Sequence, residues 1–191
     1  MPAPPLTGNF SVVLDACVLW PASLRDTLLR LAESPRQFIP KWTDEIWGEV
    51  TRNLEARRGL TSGQISHLLE QVHEHFPEAR VVGHEKLIDL MTNDPKDRHV
   101  LAAAVKCGAQ VIVTFNLKDF PLSALREWDI EAQHPDDFLI YQYDLNAPVV
   151  ISKLHVQAET IGHSFTDLLR TLHKGVPRFA MAIANALEIE V

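Results

Sequence analysis

The chain has 191 residues, 46% of them hydrophobic and 23% charged, with a formal net charge of −7. That length suits one domain or one domain with a small appendage, and that balance excludes a disordered chain. The negative total excludes a general polyanion binder held by a broad positive field, while leaving room for a local basic lip beside clustered carboxylates.

Phe10–Asp15 is a short apolar run with β-branched residues that ends in a carboxylate, the pattern of a buried strand. After Pro21, Leu24, Leu28, Leu29 and Leu31 alternate with Arg25, Asp26 and Arg30 at helical spacing, and Ser34-Pro35 ends that helix. Gln37–Pro40 predicts a second short strand, and Thr43 offers an N-cap hydroxyl to a helix running to about Arg57 and stopped by Gly59. Thr61–Gln64 opens a further helix, apolar at Ile65, Leu68, Leu69, Val72 and Phe76, until Pro77. Arg80–Val82 is a third strand candidate, with a short helix over Leu87–Met91 behind it. Asn93-Asp94-Pro95 begins a helix that closes at Gly108, and Gln110–Phe115 is another buried strand. Ile130–Ala132 reads as a weak edge strand, and Pro135 starts a helix through Tyr143.

Strands alternating with helices imply right-handed βαβ units and a parallel sheet covered on both faces. After Asn146-Ala147-Pro148 the alternation stops, and Val149–Thr160, Phe165–Lys174 and Phe179–Leu187 read as helices. The expected division is therefore an α/β part over residues 1–145 and a helical extension over 146–191. The extension either packs on its own core, the simpler account, or serves as a docking or dimerisation surface. No apolar run approaches the roughly 20 residues of a bilayer span. Met1–Thr7 lacks the charged and apolar regions of a secretory signal, so a cytoplasmic protein is expected.

In such a fold, ligands sit beyond the carboxyl ends of the strands. Asp15 occupies such an end, where it is either a turn or capping residue or a carboxylate aimed into the crevice. Glu45 and Glu49 share one helix face; the helix N-terminus accounts for Glu45, whereas Glu49 lies a full turn deeper. Asp94 and Asp97 match a helix start in which Asp94 caps and Asp97 sits at N3, a role compatible with metal ligation. Acids gathered within a few ångströms repel by about 4 kcal/mol per pair at an effective dielectric of 20. A divalent cation is the ordinary remedy, and oxygen ligands without His or Cys select Mg²⁺ or Mn²⁺.

Other phosphate chemistries fit less well. A haloacid-dehalogenase-like site needs a second Asp where Cys17 stands, and a receiver-like site needs a phosphorylatable Asp where Gly83-His84 follows Val82. There is no P-loop and no nucleophile elbow. Cys17 and Cys107 read as buried structural thiols, and His73 and His75 as surface residues.

The ordered segments Val13-Leu14-Asp15 with Val18-Leu19, Glu49–Leu54, Asn93–Ala104 and Val111–Phe120 resemble the motifs of PIN domains over about the first three quarters of the chain. The resemblance implies a three-layer α/β fold with a central parallel sheet of about five strands, and a metal-dependent nuclease using Mg²⁺ or Mn²⁺. Stand-alone bacterial members are commonly VapC-like toxins of type II toxin–antitoxin pairs. An endoribonuclease toxin with an RNA substrate, a cognate antitoxin and room for a homodimer is thus implied. A non-catalytic PIN-like binding module and a nuclease of RNA maturation are the alternatives.

By the same resemblance Asp15, Glu49 and Asp97 match the first three acidic positions, while the fourth is Asn116. Asn116 can present a carbonyl oxygen to a metal but adds no charge. Asp119 is a candidate to compensate, or else a turn residue, and Asp94 and Thr114 are helpers, Thr114 also being an ordinary β-former. Arg25, Arg52, Arg98 and Lys118 lie near these segments as candidates for phosphate contact, against the commoner fate of solvated charge.

Overall fold

The computed structural model describes residues 9–190, so the Met1–Thr7 segment read for an export signal lies outside the described residues. Strand β1 (Ser11–Leu14) runs through the middle of the sheet, with Val12, Val13 and Leu14 fully buried. It pairs in parallel with β2 (Ile39–Lys41) on one side and β3 (Val111–Val113) on the other, and β3 pairs in parallel with β4 (Glu131–Gln133). The order is β2-β1-β3-β4. Continuous apolar strands such as β1 and β3 fit a sheet covered on both faces. Pro40 pairs with Val12 in β2, at the end of that order, where its missing amide hydrogen costs no ladder bond.

The Arg80–Val82 segment expected as a strand forms only an isolated parallel bridge, Arg80 with Trp42, and Val82 is 60% exposed. The described sheet therefore has four strands and a bridge where about five strands were expected. The reason is local: β2 ends at Lys41, so only Trp42 is left to exchange backbone bonds, with the Ala79 carbonyl at 3.0 Å and the Val81 amide at 2.8 Å.

After β1 come α1 (Ala16–Leu19) and α2 (Ala22–Ala32). Thr43 caps α3 (Asp44–Arg58) as the sequence predicts, accepting from the Ile46 amide at 3.1 Å, and Gly59 ends it with a φ of 64°. Thr61 and Gln64 form a capping box on α4 (Ser62–His75). Glu85–Leu90 is a 3₁₀ turn. The helix expected from Asn93 begins only at Arg98, because Asp94 Oδ1 accepts the Lys96 amide at 3.0 Å and folds the preceding residues into a turn. This helix, α5 (Arg98–Cys107), ends at Gly108 and packs on β1 and β3 through Val100–Ala104, all fully buried. A single turn, α6 (Leu122–Leu125), precedes β4.

The helices read after Pro135 are α7 (Pro135–Thr160), broken at Asn146 where φ and ψ are −156° and 69°, α8 (Phe165–His173) and α9 (Pro177–Ala186). Val150, Leu154, Leu168, Phe179 and Ile183 join the same buried cluster as Val12 and Leu28. Two polar contacts fix this packing. Asp136 accepts the Arg178 and Phe179 amides at 3.0 and 2.8 Å, closing the start of α9. Gln157 accepts the Thr27 hydroxyl at 2.8 Å and donates to the Ser23 carbonyl at 2.9 Å, tying α7 to α2. Among the described residues no helix is long and apolar enough to cross a membrane.

Candidate active site

The chain leaves β1 toward β2 on one side and later returns to β3 on the other, so the strand order reverses between the parallel neighbours β1 and β3. Helices leaving those two strands diverge, and the crevice they open lies at the carboxyl ends. Asp15 and Thr114 are the residues that follow β1 and β3 there. The Asp15 amide donates to the Val113 carbonyl at 3.1 Å, and the Thr114 amide to the Gln133 carbonyl at 3.0 Å, so the ladder itself positions both.

Asp15 stands at the N-cap position of α1 yet makes no side-chain cap bond, and it is only 3% exposed. Its Oδ2 accepts the Thr114 hydroxyl at 2.7 Å and the Cys17 thiol at 3.1 Å. Thr114 in turn accepts the Asn116 amide at 3.0 Å, and Cys17 Sγ accepts the Phe115 amide at 3.2 Å. Thr114 is fully buried, and its hydroxyl orients the carboxylate rather than merely favouring a strand. Cys17 serves as the structural thiol the sequence suggests, although it is partly rather than fully buried. Burial first, and then the Asp15 charge, push its thiol well above the ordinary range, so it stays a protonated donor to Asp15.

Asp97 occupies the N-cap position of α5 without a side-chain cap bond, which overturns the N3 capping geometry read from the sequence. Its carboxyl is pushed up to about 6 by burial, then by the charges of Asp15, Asp119 and Asp94, with Lys96 opposing. Asp94 has its Oδ1 on the Lys96 amide, and its own amide donates to the Asp119 carbonyl at 3.2 Å. That bond brings the segments before α5 and after β3 together. Asn116 caps the turn Leu117–Asp119 by position only, with no side-chain cap bond.

Glu49 lies beside a residue the sequence reading passed over. His99, 4% exposed, places Nε2 3.2 Å from Glu49 Oε1 and Nδ1 3.7 Å from Glu45 Oε2, without aligned hydrogen bonds. Burial, the largest single influence, lowers its pKa, but the Glu49 contact and the charges of Glu45, Glu49 and Asp15 together outweigh it and raise the net value. The signal was its place, two residues after Asp97 and the one polar member of the run through Ala104. Among the described residues no group of three or more His, Cys, Asp or Glu side chains is gathered at metal-ligating distance. Glu49 and Asp97 thus border the crevice from α3 and α5 without closing on Asp15.

The basic candidates divide. Arg25 donates to the Leu19 carbonyl at 2.8 Å and the Trp20 carbonyl at 3.3 Å, so it braces the α1–α2 corner. Arg98 donates to the Asn93 carbonyl at 3.3 Å, and Arg52 folds its guanidinium against Gly48. Lys118 is exposed.

A hard divalent ion fits this donor set. Mg²⁺ retains several waters and is held by one or two carboxylates rather than a full protein cage. Asp15 and Asp97 supply such a pair, with mutual repulsion that a cation offsets. Asn93 before α5 and His99 in its first turn are also buried polar side chains whose side-chain atoms lack aligned hydrogen bonds, the kind of group that an ordered water or ion satisfies.

Comparison with known proteins adds three findings. The family model for the PIN domain matches residues 11–118, more than half of the chain. The chain is 48% identical over 101 residues to a Mycobacterium tuberculosis protein named "Putative ribonuclease VapC50", a match covering 51% of this chain and 60% of that protein. The chain thus spans about three fifths of that relative's length. No solved structure matches it.

Proposed function

The chain belongs to the PIN-domain family, and from that premise we propose that it is a divalent-metal-dependent endoribonuclease, the toxin of a type II toxin–antitoxin pair. The observation that carries this reading is the placement of Asp15 and Asp97 at one crevice. Both carboxylates border the carboxyl ends of β1 and β3, neither engaged in capping its helix, and burial first, then the charge of Asp15, raises Asp97. The relative named as a ribonuclease supports RNA as the substrate.

Asp15 and Asp97 would hold Mg²⁺ or Mn²⁺, with Glu49 as the third acidic position and Asn116 contributing a neutral carbonyl oxygen; Asp94 and Asp119 add negative potential. Such an ion, when bound, supplies Lewis-acid charge for the scissile phosphate and a lower pKa for water. The chain's own residues supply alignment. Thr114 and Cys17 both donate to Oδ2 of Asp15, which holds that oxygen in place and leaves Oδ1 without a protein donor among the described residues. Residues 1–145 form the nuclease unit in this reading, and 146–191 a helical extension. The place of action is the cytoplasm, with an antitoxin as partner.

The test is cleavage of RNA by inhibitor-free protein in Mn²⁺, compared with EDTA and with Asp15→Asn and Asp97→Asn. Loss of cleavage in all three arms is expected; unchanged cleavage in the variants rejects the site. A second reading, a non-catalytic module that binds RNA or a partner, is favoured by Asn116 in place of an acid. Thermal melts in rising Mn²⁺ separate the two, because an ion bound only to the native state raises the midpoint.

A further inference from the structure

The chain is acidic overall, yet one groove gathers unpaired cations around an aromatic ring. It holds about 770 Å³ between the α1–α2 corner, the end of α3 and the loop joining α8 to α9, with Trp20, Arg58, Phe115 and Lys174 on its walls. The Arg57 and Arg58 guanidinium carbons lie 5.4 and 5.8 Å from the centroid of the Trp20 ring. Neither arginine, nor Lys174, takes part in an ion pair among the described residues.

Two like charges side by side need a stabilising field. The last turn of α3 provides one, since both arginines are its closing residues and the helix carboxyl end favours cations. Trp20 is braced from behind by Arg25 on the Leu19 and Trp20 carbonyls, so the ring is carried on a fixed corner. The other tryptophans of this region, Trp42 and Trp47, are core residues, whereas Trp20 is only partly buried.

The groove also adjoins the crevice. Trp20 closes the short helix that Asp15 opens, and the four residues of α1 rise by about 6 Å. Phe115, on the groove wall, is bonded through its amide to Cys17, which donates to Asp15. A strand crossing the crevice reaches the ring within one or two nucleotides, taking about 3.4 Å for each stacked base.

We propose that this groove is a stacking subsite for single-stranded RNA: an unstacked base displaces the Arg57 and Arg58 guanidinium groups from the Trp20 ring, and these, with Lys174, contact the flanking phosphates. The subsite rests on the ribonuclease reading. It prefers unpaired over duplex RNA, because only an unstacked base offers a free face to the ring. A protein partner docking on the same aromatic and cationic patch is the competing occupant, and charge complementarity to phosphate favours the nucleic acid.

The test is anisotropy of a labelled mixed-sequence single-stranded oligoribonucleotide with the full chain in EDTA, so that binding is read without cleavage. Trp20→Ala weakens binding about tenfold and Trp20→Phe by less than about threefold. The double variant Arg57→Ala/Arg58→Ala lowers the slope of log affinity against log salt by about 1.4, two contacts at about 0.7 each. If Trp20→Ala does not fold, the surface arginine pair carries the test. RNA binding unchanged in the variants, or duplex bound as tightly as single strand, overturns the subsite even where wild type cleaves RNA in Mn²⁺. Wild type that neither binds nor cleaves RNA removes both the subsite and the nuclease reading.

Discussion

Asp15 and Asp136 are equally hidden, at 3% and 4% exposure, yet they sit in opposite circumstances. Asp136 has both oxygens on backbone amides at the start of α9, so its charge is consumed in closing a helix end. Asp15 takes a hydroxyl and a thiol on one oxygen only, and its neighbour Asp97 caps nothing. Burial alone therefore does not separate a structural carboxylate from a chemical one. What separates them is whether the donors around the carboxylate are obligatory backbone groups or adjustable side chains.

The sharpest break of that comparison is Asp97→Asn, expected to lower RNA cleavage at least a hundredfold while raising the thermal midpoint of the metal-free protein at neutral pH. Asp136→Ala should do the reverse: about 2–4 kcal/mol of stability is lost in urea titration, with activity per folded molecule retained. Thr114→Val keeps the shape of the side chain but removes the donor to Asp15 and the acceptor of the Asn116 amide, so initial rates in Mn²⁺ should fall about tenfold and about 1–3 kcal/mol of stability be lost in urea titration.

The pH dependence sharpens the contrast further. Asp97 sits at about 6 in the folded chain against an ordinary 3.8, so its folded value is raised. Its favourable contribution is complete below about 4 and is lost as pH rises through about 6, because the charged form is the one the fold opposes. Melts in EDTA from pH 4 to 8 should show wild type losing stability relative to Asp97→Asn across that window, and Mn²⁺ should close the gap. The smallest effect belongs to Arg80→Ala: its pair with Asp44 holds that carboxyl below the usual range, but at an exposed, solvent-screened site, so the urea midpoint should hardly move.

Legibility in the sequence followed the range of the interactions. β1 and β3 are readable because burial on both faces leaves an unbroken apolar run, and Thr43, Gly59 and Gly108 because capping is local. Arg80–Val82 has the composition of a strand, but pairing requires a neighbour, and β2 stops at Lys41. Asp15 and Asp97 stand out by position, whereas their freedom from capping is visible only in three dimensions. His99 was missed because its partners Glu45 and Glu49 are on another helix, and the link of Cys17 to Thr114 was not visible because Thr114 is 97 residues away. Asp136 gave no signal at all, since the amides it caps lie more than 40 residues downstream.

The bond from Thr27 to Gln157 spans 130 residues. During synthesis α2 leaves the ribosome long before its partner, so Thr27 and the Ser23 carbonyl wait in water until α7 arrives. The same wait holds for the Arg30 and Glu33 carbonyls, which receive the Lys153 ammonium. Contacts of such long sequence separation form late, because loop closure must precede them. The nascent chain thus exposes the Asp15 loop early but steadies the neighbouring helix only once α7 has been made. A chain that cleaves RNA would, on this schedule, mature only after the message encoding α7 has been read.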